Sequence, residues 1–242
     1  GEKQEGFGPM EATIWKGQRW SAANAYLKPA LKRPNCELVR AFARRVVIEN
    51  GRAVGVEVER GGRIEVIRAA REVVVAASSI NTPKILMLSG IGDRAHLADI
   101  GVDCQAHSPE VGANLQDHLD MTVSVHDRSK QSIGLSPLFL PRLVRAFYDY
   151  FRHRRGFLAS NAAEAGGFID LSGCGRPDVQ LHFIPAFLRD HGRALTPGFG
   201  CTVHVCQLRP ASRGHIRLAN RDPLSAPVID PRYLSAPGDL EV

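Results

Sequence analysis

The sequence predicts a mixed α/β fold, on three observations. Short β-branched runs in the first third alternate with Asn50-Gly51 and Gly61-Gly62, both tight-turn signals between antiparallel strands. A continuous apolar run, Val73-Val74-Val75-Ala76-Ala77, then passes through Ser78-Ser79-Ile80-Asn81 into Thr82-Pro83 and a helical pattern. The last third returns to short strands separated by Gly- and Pro-rich loops, as expected of a largely antiparallel second sheet.

Composition narrows the class. The 242 residues are 44% hydrophobic and 23% charged, an ordinary globular balance with enough chain to bury a core. The net charge of +6 comes from scattered arginines rather than a basic run, which argues against a nucleic-acid partner. Five cysteines (Cys36, Cys104, Cys174, Cys201 and Cys206) form no C-x-x-C, so neither a disulfide framework nor a zinc site is expected and a reducing compartment fits best. The expected location is the cytoplasm.

In chain order, Ser21 caps a helix running to about Leu31 and stopped by Arg33-Pro34-Asn35. Val46-Val47-Ile48, Val54 to Val58 and Ile64 to Ile67 form a three-stranded meander. Glu72 to Ala77 reads as a central strand buried on both faces. Thr82 is then the N-cap and Pro83 the first residue of a helix buried through Ile85, Leu86 and Leu88 and ended by Gly90 and Gly92. A second helix, Pro141 to Phe151, gathers Leu140, Leu143, Val144, Phe147 and Phe151 on one stripe opposite Arg142, Arg145 and Arg152. A core-packed helix is the preferred reading; contact with a membrane surface, peripheral on the inner membrane, stays open. Strands follow at Val179 to Phe183, Thr202 to Leu208 and His215 to Leu218.

The chemistry is less legible. G-x-G-x-x-G, G-x-x-x-x-G-K-[ST] and G-x-S-x-G are all absent, and the histidines are dispersed, so no metal site is expected. Ser78 and Ser79 are small residues at a strand-to-helix turn, where the helix start can approach an anionic group; taken alone, a plain tight turn is the preferred account. Glu164 lies among small residues in Asn161-Ala162-Ala163-Glu164-Ala165-Gly166-Gly167, either lining a pocket or solvated. Between two strands, the segment from Ile184 to Gly200 is long enough for a binding loop, with Phe187 and Leu188 as its apolar lining.

Taken together, several segments resemble the glucose–methanol–choline (GMC) oxidoreductases. Ser78 through Gly92 is similar to that family's second signature, and Val111-Gly112-Ala113-Asn114-Leu115-Gln116-Asp117-His118 resembles its V-G-x-N-L-Q-D-H. Gln18 to Leu27, Gly51 to Val56, Pro210 to Leu218 and Ile229 to Leu234 match in order as well. The segments Gly156 to Phe168 and His182 to Gly192 look most like quinone-linked alcohol dehydrogenases, with choline dehydrogenase next. The resemblance implies an FAD cofactor and hydride transfer from an alcohol carbon to the flavin. It implies part of a Rossmann-like FAD-binding domain over 1–110, then a substrate domain and the start of the C-terminal region over 111–242. Ala43, Ser78 and Ser79 are the implied FAD contacts, and Glu164 and Phe187 the expected substrate contacts. A quinone is the implied electron acceptor. The phenylalanines favour an aliphatic primary alcohol, because a choline site wants an aromatic cage and only Phe157 and Phe168 stand near Glu164 in sequence; choline dehydrogenase and a non-catalytic binding module of the same fold are the alternatives. The family's N-terminal G-x-G-x-x-G and its late catalytic histidine have no counterpart here, so no catalytic residue is assigned and the chain reads as an internal fragment, expected to be inactive alone.

Overall fold

The computed structural model describes residues 3–187, 189–190, 193–194 and 196–242. The principal elements, in chain order, are β1 (Gly6–Pro9), β2 (Phe42–Glu49), β3 (Arg52–Arg60), β4 (Arg63–Arg68), α1 (Ser78–Leu88), α2 (Arg94–Asp99), β5 (Asp120–His126), α3 (Leu140–His153), β6 (Ala165–Ile169), β7 (Val179–Ile184), β8 (Gly198–Gln207), β9 (His215–Arg217) and β10 (Val228–Asp230). The fold is mixed α/β with antiparallel sheets. It separates into two compact units: residues 38–117 with 210–241, and 1–37 with 118–209. The expected single boundary near residue 110 is therefore replaced by a discontinuous one, because β9 and β10 return to pack with the first half of the chain.

In the 38–117 unit, β2, β3 and β4 form the expected meander, with Asn50 and Gly51 at φ 52° and 74° in its first turn. A bulge between Ala43 and Arg45 interrupts β2. The extra residue lets two consecutive arginines reach one carboxylate: Arg44 and Arg45 lie 3.4 and 2.9 Å from Glu57, and Arg44 also meets Glu59 at 2.8 Å. These hydrogen bonds, Arg45's foremost, hold the Glu57 carboxyl below its ordinary range. The core of this unit is Met87, Leu97, Ile216 and Leu218, with Ile80, Leu88, Val111 and Leu115 packed around it. Ser89 ties α1 to the meander by accepting from Val46 N–H at 2.8 Å.

Two expectations fail in this unit. Residues 72–77 form no strand, and Val74 is 79% exposed. An apolar run becomes a strand only where a neighbour completes its hydrogen-bond ladder, and none of the described strands pairs with it. The helix also begins at Ser78 rather than Pro83, so Pro83 lies inside it. Ser78 turns the corner at φ 71°, and Thr82, displaced from the cap, reaches back to accept Ala77 N–H at 3.0 Å.

The other unit is built on an antiparallel sheet in the order β1–β6–β7–β8, with β5 paired to β8 over residues 200–206. The register places Asp120, Thr122, Ser124, Thr202, His204 and His182 on one face and Met121, Val123, Val203, Val205 and Leu181 on the other. Cys201 and Cys206 face opposite sides as expected, and the described cysteines are all free. Near residue 21 the helix is a π turn over Ala23–Leu27 continued by Lys28–Ala30, with Ser21 Oγ accepting from Asn24 N–H at 3.3 Å. Of the stripe on α3 only Leu143 is turned partly inward, half-buried. Ala146 is buried and Tyr150 half-buried, whereas Leu140, Val144, Phe147 and Phe151 are exposed. The seating is set by Phe139 at the helix start, whose ring lies 5.7 Å from Phe157 and 6.4 Å from Phe199.

One histidine makes the stability of the 38–117 unit pH-dependent. His96 Nε2 accepts Leu218 N–H at 3.2 Å beside the core, which requires the neutral ring, and burial lowers its pKa below the ordinary 6.5. The folded state thus binds its proton later than the unfolded chain. The histidine's contribution is complete above about 6.5 and shrinks as pH falls toward the lowered value. Urea midpoints measured between neutral and mildly acidic pH should fall more steeply for the native protein than for His96→Gln.

Candidate functional site

The start of α1 and the loop at 111–118 enclose an open hollow of about 380 Å³. Ser79 and Pro83 form one wall, Gly112 through Gln116 the other, and Ile216 of β9 the floor. The volume lies within the range of ligand pockets.

The walls are largely backbone, for reasons visible residue by residue. Gly112 sits at φ 81°, and a Cβ there would lie 2.2 Å from the carbonyl oxygen of Ile216. That contact exists because Ile216 N–H donates to Gly112 O at 2.6 Å. Two further bonds, Leu115 N–H to Gly214 O at 3.0 Å and Gly214 N–H to Leu115 O at 2.8 Å, fasten the same loop to the stretch before β9. Asn114 is held at φ 57°, a left-handed conformation that asparagine tolerates better than most residues. At the loop's end Tyr233 donates its hydroxyl to Asp117 Oδ2, which pushes the phenol up to about 12.

On the opposite wall the first-turn donors of α1 point toward the helix entrance without acceptors within the helix, and the helix start is the positive end of its dipole. Ser78 Oγ accepts from Ile80 N–H at 3.4 Å. Pro83 has no N–H, so the Ser79 carbonyl loses its usual helical partner on the side of the hollow. The arrangement offers backbone donors and a backbone acceptor to a polar ligand, and Ser78 and Ser79 are small enough to let it approach. It contains no nucleophile–base pair and no carboxylate, so it can hold a group but cannot itself move a proton.

Of the expected contacts, the structure places Ser79 in the lining of the hollow, with Ser78 next to it in the chain at the start of α1, and leaves the others elsewhere. Ala43 is exposed on β2, beside the bulge, and does not line the hollow. Glu164 and Phe187 belong to the other unit. Glu164 is exposed just before β6, its carbonyl accepting from Met10 N–H at 3.0 Å. Phe187 packs its ring over Gly200, leaving no room for a Cβ there, and meets His126 edge-on with centroids 4.8 Å apart. Both sit at the same end of the sheet, where β6 begins, β7 ends and β8 begins. Leu188 lies outside the described residues. A hollow of about 420 Å³ in this unit is lined by Thr13, Arg19, Tyr150 and residues 158–161, and neither Glu164 nor Phe187 contributes to it.

Sequence reasoning missed Lys84. It is buried on α1 and donates from Nζ to the Pro223 carbonyl at 2.7 Å, anchoring the helix of the site to the returning segment 210–241. Its place in an otherwise apolar helix pattern is the only sequence signal it gave.

Gly112→Ala should destabilise this unit by about 1–3 kcal/mol, through backbone strain at positive φ and loss of the Ile216 bond. Urea unfolding checks it. The control Gly61→Ala, at φ 58° with open space around it, carries only the conformational part of that cost.

Comparison with known proteins fits this geometry. The family model for GMC oxidoreductases matches residues 1–120, which include both walls of the hollow. An oxygen-dependent choline dehydrogenase from Sinorhizobium medicae (strain WSM419) is 50% identical over 243 aligned positions, covering 100% of this chain and 44% of the relative. Among solved structures, a formate oxidase superposes with a TM-score of 0.81 at 27% identity, over 94% of this chain and 44% of its own. A pyridoxine 4-oxidase from Mesorbium loti gives 0.77 at 25% identity, over 99% of this chain and 43% of its own. The chain thus spans less than half the length of the relatives it matches, and it belongs to the GMC oxidoreductase family.

Proposed function

We propose that this chain is part of an FAD-dependent oxidoreductase that oxidises the CH–OH group of choline, and that the hollow at the start of α1 holds a polar portion of the cofactor. The observation that carries the reading is that hollow. A small serine at a helix start, Ser79, faces a loop whose glycine has no space for a side chain, and both walls lie within the residues matched by the family. When bound, FAD supplies the hydride acceptor. The chain's own residues position it: Ser78 and Ser79 offer the helix start, Gly112 through Gln116 form the facing wall, and Ala43 would meet the adenine, as the resemblance implies.

Choline replaces the aliphatic alcohol that the phenylalanines favoured. Phe187 was the chief apolar contact in that expectation, and its ring is committed to Gly200 and His126. Glu164, an exposed carboxylate at the same end of the sheet, is a suitable partner for a quaternary ammonium. The name of the Sinorhizobium relative supports the same choice.

Two measurements on the full-length protein test this. Ser79→Leu should fill the hollow and lower the flavin retained after purification, while the unfolding temperature of the flavin-free protein stays unchanged; full flavin content would leave Ser79 as part of a plain turn. Glu164→Gln should lower kcat/KM for choline on the order of tenfold to a hundredfold and barely alter that for its neutral isostere 3,3-dimethylbutan-1-ol. A wild-type preference for medium-chain alcohols, or an equal loss on both substrates, would defeat the choline assignment.

A further inference from the structure

A ring nitrogen holds the backbone that carries the floor of the hollow. His96, half-buried on α2, accepts Leu218 N–H through Nε2 at 3.2 Å. Its own backbone N–H donates to Asp93 Oδ1 at 2.9 Å, which fixes the base from which the ring reaches across. Leu218 is 4% exposed and shares the core with Ile216 and with Leu97, the residue after His96. Two residues before Leu218, Ile216 forms the floor of the hollow and donates its N–H to Gly112 O at 2.6 Å. A short chain of contacts thus runs from the imidazole through Leu218 and Ile216 to the glycine wall. All of it lies within the 38–117 unit, and each residue in it is buried or half-buried.

The nitrogen can accept only while it carries no proton. A proton on Nε2 turns the acceptor into a donor facing Leu218 N–H, and the buried amide loses its partner. The groups around the ring are divided. Burial holds its pKa below the ordinary 6.5, and Arg217 and His215 of β9 act in the same direction, while Asp93 and Asp99 at the two ends of α2 favour the charge. His107, beyond α2, accepts Arg94 N–H at 3.2 Å and acts on Asp93. The neutral ring is therefore the resting state at neutral pH, and acidification through the lowered value charges it within the folded protein.

We propose that His96 is a pH-sensitive latch on the cofactor hollow: neutral, it holds Leu218 and keeps Ile216 seated against Gly112; protonated, it releases them, and the hollow loses affinity for FAD. The proposal rests on the placement of FAD in that hollow. The coupling is reciprocal, so bound FAD makes His96 harder to protonate.

The test takes two readouts on the full-length protein and on His96→Gln, whose amide oxygen can accept from Leu218 at any pH. Hydrogen exchange, corrected for the intrinsic effect of pH, should show the amides of residues 214–218 losing protection between pH values of about 7.5 and about 5.5 in the wild type and keeping it in the variant. Over the same interval the Kd of the flavin-free protein for FAD should rise on the order of fivefold in the wild type and less than about twofold in the variant. His96→Ala, which has no acceptor, should show the weakened affinity already at neutral pH. Unchanged protection in the acidified wild type, or an equal loss in His96→Gln, would overturn the proposal at the histidine. Loss of protection confined to the wild type with no change in Kd would overturn it at the other end, because FAD binding would then not depend on this hollow. Should neither variant fold, protection and affinity in the wild type must still fall together, and a mismatch between them would overturn the latch.

Discussion

The 38–117 unit depends on one close approach of backbone to backbone. Gly112 and Ile216 lie so near that the Ile216 carbonyl occupies the space where a side chain would begin, and the bond from Ile216 N–H to Gly112 O closes the contact. Ile216 belongs to the core with Met87 of α1, Leu97 of α2 and Leu218. The approach therefore fixes three things at once: the loop at 111–118, the return of the chain after residue 210, and the distance from that loop to α1. A larger residue at 112 would move the loop off the helix start, and the hollow would lose a wall.

The site is accordingly a matter of main-chain placement. Ser78 at φ 71°, just before the wall formed by Ser79 and Pro83, and Asn114 at φ 57°, in the facing wall, hold conformations that non-glycine residues seldom adopt. Such positions persist where the surroundings over-determine them, and here the surroundings are the core, the Lys84–Pro223 bond and the Leu115–Gly214 pair. A pocket walled by peptide groups and short side chains suits an extended polar cofactor better than a small reactive substrate, which needs an acid or base close by.

The sheet unit shows a different logic. Its strands alternate strictly, so one face collects hydroxyls, histidines and Asp120, whose carboxylate lies 2.6 Å from His204 Nδ1, while the other collects valines. Met121, Val123 and Val125 remain open on the apolar face, and the stripe of α3 is open as well. Phe187 stands in the long loop that the sequence marks, and its ring meets Gly200, 13 residues further along the chain, and His126, which the strand register pairs with Gly200.

Much of this was legible without coordinates. The meander followed from Asn50-Gly51 and Gly61-Gly62, because turn chemistry is local and those pairs admit few backbone conformations. The family and the importance of Ser78 to Gly92 and Val111 to His118 were carried by ordered motifs that need no contact information. What local reasoning could not supply was partnership. Whether Val73 to Ala77 becomes a strand depends on a neighbour to complete its ladder, and the true start of α1 depends on how Ser78 turns the corner. The seating of α3 was likewise decided by Phe139 against Phe157 and Phe199, residues 18 and 60 positions away, rather than by the helix's own stripe. Periodicity in a sequence reports that a helix has two sides; only the tertiary structure determines which side the rest of the protein covers, because burial is a property of pairs of surfaces and the sequence lists one of them at a time.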